Sequence, residues 1–379
     1  MKKKILIIVF LVVLIASIYG ERLKVTPMEE FDIPIAFGVD IYKELNGNVK
    51  YNIPYSIYKF KKKEKGSAES IDEETTEQSS SISIGDGSSL GETREERQLS
   101  SSKVTLIGIE KIVLISEEQA NYGILNLANI FFANAKINDR GIFAVCKGKA
   151  EDMLKFKMKG YPSSADYMEG MIRHATNYNF ISDNYTLLNI YVTLDSEGEN
   201  LVLPYIEIKD KDIAFTGMAL FKGNKMAYML PMEESKIMNI LREKKGKGVL
   251  SLQEGPDKYI NYDARVKKKV KCNKKEGKYE FNIELDFQGD IIGNTLYKDI
   301  KKENEKEFEE LMGKKIEKMC SGFLDKMKNS YKIDCLNLGM YAVAKYGRET
   351  GVDWNKEISN ADIKVSVKVK IDKMGMGQY

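Results

Sequence analysis

Hydrophobic and polar positions first fall into a clear rhythm at NVKYNIPYSIYKF, where Val49, Tyr51, Ile53, Tyr55 and Ile57 recur at period two, the pattern of a half-buried strand. KVTLIGIEKIVLIS predicts a further strand pair or one bent strand. The period then changes. Ser116 and Gln119 have the spacing of a capping box ahead of Ala120, Ile124, Leu127 and Phe131, whose four-and-three spacing predicts a helix with one apolar stripe. GIFAVCKG predicts a strand, and SSADYMEGMIRHATNYN a second capped helix with Ser163 as N-cap. Strand and helix alternate without a Gly-rich phosphate loop, which predicts a mixed sheet with helices and not a nucleotide-binding doubly wound fold.

Beyond Leu201, AFTGMALF and KMAYML flank Gly223 and Asn224, a pair suited to a tight hairpin turn, and MEESKIMNILRE follows as a helix. KYEFNIELDF alternates strictly, with Tyr279, Phe281, Ile283, Leu285 and Phe287 facing one way. DIKVSVKVKI repeats the pattern, with Ile363, Val365, Val367, Val369 and Ile371 inward and Lys364, Lys368 and Lys370 outward. Between these strands, from about Glu303 to Tyr331, Phe308, Met312, Ile316, Met319, Phe323 and Met327 recur every three or four residues. This predicts a helix of roughly 40 Å packed against both strands, with burial of the stripe contributing on the order of 10 kcal/mol before entropy. Gly313 and Gly322 each weaken that helix by about 1 kcal/mol relative to Ala, which predicts close packing or a bend there. The fold class is α+β and multi-domain, with mixed and antiparallel sheets, packed helices and a long helix in the C-terminal half.

The ends and linkers set the domain plan. Lys2, Lys3 and Lys4 precede an apolar run from Ile5 to Tyr19 that rises about 22 Å as a helix, short of the roughly 30 Å hydrocarbon core, so residues 1–20 read as a signal peptide or N-terminal membrane anchor. Residues 66–102 are rich in Ser, Glu, Thr and Gly, and no aromatic residue occurs between Phe60 and Tyr122, so this stretch is expected to be a disordered loop. It lies inside an N-terminal α+β domain at 21–200; a C-terminal α+β domain occupies 201–379.

Composition narrows the chemistry. Lys plus Arg number 59 and Asp plus Glu 56, a net charge of +3, so no one-sign field draws in nucleic acid. With one histidine, His174, multi-histidine zinc sites and most His-centred triads cannot form within one copy. Cys146, Cys272, Cys320 and Cys335 show no metal-ligand spacing and read as buried or half-buried thiols, although an exported chain permits up to two disulfides among them. Cys146 with His174 is the best remaining nucleophile pair, but Cys146 sits in an apolar strand and His174 in a polar helix. No catalytic, cofactor-binding or metal-ligating residue is assigned, and no cofactor is implied. The basic run RVKKKVKCNKK, Arg265 to Lys275, reads as a solvated strand and turn, with anionic lipid headgroups as the sharper alternative.

Five segments in order then carry a resemblance: FGVDI; KIVLISEEQANYGI; GIFAVCKGKAEDML; FTGMALFKGNKMAYMLPMEES; and DCLNLGM with DWNKEISNADIKVSVKVKIDKMG. The chain is similar across most of its length to the Ger(x)C family, the C subunits of bacterial spore germinant receptors. The resemblance implies a non-enzymatic protein at the outer face of the spore inner membrane, working beside membrane-spanning A- and B-type subunits that respond to small nutrient germinants. Family members commonly carry a lipobox cysteine after the signal; the Gly20 and Glu21 junction has none, which puts lipid anchoring in doubt. An alternative reading is a solute-binding type of protein that itself captures a germinant in a cleft between halves, with tyrosines and Trp354 as its lining.

Overall fold

A computed structural model describes residues 30–45, 47–59, 80–296, 302–348 and 351–373; the predicted export segment 1–20 and positions 66–79 of the expected loop lie outside the described residues. Strands β1 (Phe31–Asp32), β2 (Pro34–Lys43), β3 (Val49–Tyr58) and β4 (Ser80–Gly87) lead to helix α1 (Leu90–Leu99). After β5 (Val104–Thr105) and β6 (Ile112–Ser116) come α2 (Glu117–Tyr122), α3 (Leu125–Ala133) and β7 (Ile142–Cys146). Helices α4 (Ala150–Lys155), α5 (Ser164–Ala175) and α6 (Leu187–Asp195) precede β8 (Val202–Lys209), β9 (Asp212–Lys222) and β10 (Lys225–Pro231). Helix α7 (Met232–Arg242) introduces β11 (Lys245–Gly255), β12 (Lys258–Lys275) and β13 (Lys278–Asn294). Then α8 (Lys302–Lys326), a π turn, α9 (Leu338–Tyr346), α10 (Trp354–Asn360) and β14 (Asp362–Lys373) complete the described chain.

Eight strands form one mixed sheet in the order β10-β9-β8-β7-β6-β2-β3-β4. Its centre, β2, β6, β7 and β8, is parallel, and both flanks are antiparallel. Helices cover a parallel sheet on both faces, which is why IVLIS and IFAVC are unbroken apolar runs, buried at every position. Strand β3 has neighbours on both sides, and Pro54 and Ser56 are buried along with Ile53 and Ile57, so it is less one-sided than its alternation suggests. Because β8 to β10 belong to this sheet, its hydrogen bonding continues past residue 201 as far as Pro231.

The second sheet runs β11-β12-β13-β14, with β14 parallel to β13. Helix α8 lies on one face: Phe308, Met312, Ile316, Phe323 and Met327 are buried as the stripe requires, and Met319 is half-buried. Two α8 carboxylates also reach the open edge of β14, where Glu317 accepts the Val367 N–H at 3.1 Å and Glu309 the Ile371 N–H at 3.0 Å. They satisfy donors that an edge strand would otherwise offer to another chain. Neither glycine of this helix answers to close packing: a Cβ on Gly313 would touch Val369 at 4.0 Å, and one on Gly322 would meet nothing.

Two expectations are corrected. The disordered loop does not extend through 80–102. Ile82 and Ile84 alternate with serines, β4 pairs with β3 from Tyr51↔Gly87 to Tyr58↔Ser80, and Ser89 caps α1 by accepting the Glu92 N–H at 3.2 Å. The low apolar content hid a strand that needs only one face packed. The helix behind Ser116 is also two helices. Ser116 caps it as predicted and Ala120, Ile124, Leu127 and Phe131 are buried, but Gly123 stands at φ +133 and ends the first piece. A Cβ there would lie 2.4 Å from Asn224 Oδ1, in the hairpin turn between β9 and β10, so the break lets that turn approach.

Candidate functional site

The candidate nucleophile does not assemble. Cys146 is fully buried on β7, where burial pushes its thiol well above the usual range, and His174 is exposed on α5. All four cysteines are free and buried; burial raises Cys320 to about 12 and drives Cys335 higher still. A thiol held protonated in this way is neither a nucleophile nor a ready metal ligand. Among the described residues no group of three or more His, Cys, Asp and Glu converges on a metal-sized space.

The five distinctive segments instead meet each other. Asp40, from FGVDI, accepts the Ala150 N–H at 2.6 Å and the Glu151 N–H, capping α4 inside GKAEDML. A Cβ on the adjacent Gly38 would fall 2.6 Å from that of Ala150, so the glycine lets the helix sit on the strand. QANYGI and FKGNKMAY touch where the Ile124 N–H donates to the Asn224 carbonyl at 2.9 Å.

The densest meeting is at the junction of the two sheets. Arg242, at the end of α7, donates through Nη1 to the Cys335 carbonyl (2.6 Å) and Asn337 Oδ1 (3.0 Å), and through Nη2 to the Asn200 carbonyl (3.0 Å). Asn200 in turn donates its N–H to Asn337 Oδ1 and its side-chain amide to the Asp334 carbonyl and Asn355 Oδ1. Asp334 accepts the Gly339 N–H at 2.7 Å and the Leu336 N–H at 3.2 Å, which holds DCLNLG as a tight bend with Asn337 at φ +56. Burial lifts the Asp334 carboxyl to about 6, against the backbone donors and the Arg242 charge that draw it down. Close by, burial lowers Lys268, which donates to the Arg242 carbonyl, to about 8. Gly198 and Gly339 meet backbone to backbone: a Cβ on Gly198 would lie 2.5 Å from the Gly339 carbonyl carbon. A second fastening is Phe180, buried between the halves; its N–H donates to the Lys247 carbonyl, and its ring stands edge-on to Phe287 at 6.3 Å.

The junction corrects one member of the expected cleft lining, Trp354, whereas Tyr185 and Tyr341 do line a cleft of about 900 Å³ beside it. Trp354 is buried, donates to Glu197 Oε1 at 3.0 Å and packs on Tyr279 at 5.4 Å, so it closes the halves together and does not face an open pocket. The basic run Arg265–Lys275 is a strand whose Arg265, Lys267, Lys269 and Lys271 point outward and lie opposite Gln288, Asp286, Glu284 and Asn282 of β13. Lys271 pairs Glu284 at 2.7 Å, so acids interleave the stripe and no single-sign field results.

One surface was missed by the sequence reading. Helices α3 and α6 pack side by side and turn apolar side chains outward: Leu125 is 42% exposed, Phe132 44%, Leu188 46% and Val192 52%. Phe132 and Tyr191 stack face to face at 4.0 Å with 6° between the rings. No Asp, Glu, Lys, Arg or His occurs from Leu125 to Ala135 or from Leu187 to Leu194, so the patch has no charge of its own. The signal was present in LNLANIFFA and LLNIYVTL, which are apolar on the side opposite the buried stripe as well as along it. Exposed apolar side chains on two adjacent helices make this a candidate surface for another body to cover.

Comparison with known proteins locates the same organisation elsewhere. Residues 24–208 match the family described as the spore germination protein N-terminal domain, and residues 216–375 match the family described as spore germination B3/GerAC like, C-terminal. The spore germination protein GerQC of Bacillus cereus is 23% identical over 277 residues, 71% of this chain and 76% of that one. The crystal structure of the GerBC protein superposes with a TM-score of 0.58 at 16% identity, covering 89% of this chain and 98% of that one, which is a likeness of fold.

Proposed function

Because this chain belongs to the GerAC-like, Ger(x)C family of spore germination proteins, we propose that it is a non-enzymatic C subunit of a spore germinant receptor, docking on a membrane-spanning subunit at the outer face of the spore inner membrane. The observation that carries the docking reading is the uncharged apolar face of α3 and α6. The core of a protein interface is depleted of charged side chains, and a face with none charged at neutral pH between Leu187 and Leu194 can be covered without stranding a charge. The four buried cysteines offer no accessible thiol to compete with that contact.

No helix among the described residues is long and apolar enough to cross a membrane, so in this reading attachment comes from partners or from residues 1–20. The test places a charge on the exposed face with Phe132→Glu and Val192→Glu. Both variants keep the buried stripes intact, so spores should contain normal amounts of the protein. Its co-purification with the membrane-spanning subunits from solubilised spore membranes should fall by on the order of ten-fold, and nutrient-triggered loss of optical density should slow. Full co-purification in both variants refutes this docking face. Retention on protein-free vesicles that is lost in the variants would assign the face to lipid instead.

A further inference from the structure

A separate feature lies on the far flank of the eight-stranded sheet. Under α1 is a cavity of about 250 Å³ whose walls include Phe37, Tyr55, Phe131, Ile107, Ile130 and Ile137. Into this largely apolar space comes a buried arginine. Arg97 is 6% exposed; its Nη1 donates to the Ile53 carbonyl at 3.2 Å, and its guanidinium carbon sits 3.9 Å over the Tyr55 ring. No ion pair forms with it among the described residues, and the neighbouring Glu96 carboxylate accepts the Asp86 N–H instead.

A guanidinium has five N–H donors in a planar fork, and the Ile53 carbonyl with the Tyr55 hydroxyl and ring occupies only part of that capacity. Burial of a cation without an anion is costly, and Gly85 on the neighbouring strand admits both the helix and its arginine: an added Cβ would lie 2.0 Å from the Thr93 carbonyl oxygen and 2.7 Å from Arg97 Nη1. If the residue served only to hold α1 on the sheet, an apolar side chain would do so at lower cost. Arg97 lines the same space as the aromatic and aliphatic walls, which is the arrangement of a site for an apolar body with one anionic end. Arg94, exposed on the same helix, also lines the cavity and adds a second positive charge toward solvent.

From this geometry we infer that the cavity binds a small monocarboxylate, its carboxylate on the free edge of Arg97 and its short apolar chain against Phe37, Tyr55 and Phe131. The volume suits a ligand of about six to ten heavy atoms, well below drug size. Binding there does not depend on the face of α3 and α6, because Ile130 and Phe131 lie off the Leu125–Phe132 side of α3.

The test is calorimetric titration of the purified chain with hexanoate, hexylamine and hexanol as probes. Hexanoate should saturate one site below about 10 mM, with hexanol at least ten-fold weaker and hexylamine silent. Arg97→Leu should lose hexanoate binding by ten-fold or more, and Arg97→Lys should recover part of it. Because Arg97→Leu can also loosen α1, Ile130→Trp provides the second variant: it fills the rim from a half-exposed position and should abolish hexanoate binding with the far-ultraviolet spectrum unchanged. Equal binding of hexanoate and hexylamine, no saturation by hexanoate, or hexanoate binding unaffected by Ile130→Trp would each overturn the inference. Loss of docking in Phe132→Glu with hexanoate binding intact keeps the two readings distinguishable.

Discussion

Replacing Arg242 by Met tests the sheet junction directly. The thioether chain keeps most of the apolar stem contact but removes three charge-assisted hydrogen bonds. Their acceptors fare differently. The Cys335 and Asn200 carbonyls lose the Arg242 donor, whereas Asn337 Oδ1 keeps the Asn200 N–H. Two deprived buried carbonyls at about 1–2 kcal/mol each, plus a smaller third loss, give roughly 3–4 kcal/mol. The Asp334 carboxyl, already raised by burial, also loses the positive neighbour that draws it down. The assay is urea unfolding at neutral pH followed by tryptophan fluorescence and by far-ultraviolet circular dichroism. Trp354 is the sole tryptophan and sits in the junction, so fluorescence reports that region alone. One apolar core runs through both halves, and in the unaltered chain the two signals should coincide. In Arg242→Met the fluorescence transition should move to lower urea and precede the other; Arg242→Lys should recover part of the loss. A shift worth less than about 1 kcal/mol, with the two signals still superposed, would show that packing and not this hydrogen-bond set fastens the halves.

Stability should fall between about pH 4 and pH 6.5. Asp40 and Asp334 both titrate at about 6 in the fold, above the unfolded value near 3.9, so their contribution is complete below about pH 4 and is lost as the pH rises through 6. That is up to about 3 kcal/mol per group, and Asp40→Asn or Asp334→Asn should flatten the urea midpoint against pH; an unaltered profile contradicts the assignment. Lys268 works in the opposite direction, its contribution being lost as pH falls through about 8, and Asp166 and Glu234, whose pKa values are lowered, lose theirs only at more acidic pH. Gly322→Ala, in the interior of α8 where an added Cβ meets nothing, should raise stability by about 0.5–1 kcal/mol, and a loss measured by the same urea titration would mean a hidden contact. A disulfide-exchange reagent should label none of the four thiols rapidly in the folded chain and all four in urea; a fast-reacting thiol before unfolding would contradict their burial.

How far the fold could be read from the chain depended on whether a segment's partner was local. β13 and the α8 stripe were legible because each shows a complete period over many residues, and the cap at Ser163 because its spacing lies within one turn. β4 was not, because its stability comes from pairing with β3 across a long insertion and its alternating serines look like linker composition. The break at Gly123 was hidden for the same reason: the residue that requires it, Asn224, is about a hundred positions away. Of the candidate sites, the burial of Cys146 was legible from its apolar strand. The exposed apolar face of α3 and α6 was not, because outward Leu125 and Phe132 are ordinary helix formers until α6 is placed beside them.

The segments that make the family recognisable are therefore the wrong place to look for contact with partners. FGVDI caps a helix, QANYGI receives a hairpin, and DCLNLG with DWN closes the junction through Asp334, Asn337, Trp354 and Asn355. Substitutions there act on folding before they act on anything else. A Gly339→Ala chain, with its new Cβ 2.9 Å from the Gly198 backbone, should vanish from spores or lose its junction, and its germination defect would say nothing about docking. Phe132→Glu makes the opposite case, since an exposed side chain on a short helix leaves the core unaltered. Measuring protein abundance and complex formation in both separates the two routes to one phenotype. A Phe132→Glu protein that is present at normal level, folds with the urea midpoint of the parent and still fails to recruit the proposed membrane partner can be explained only by the surface it alters.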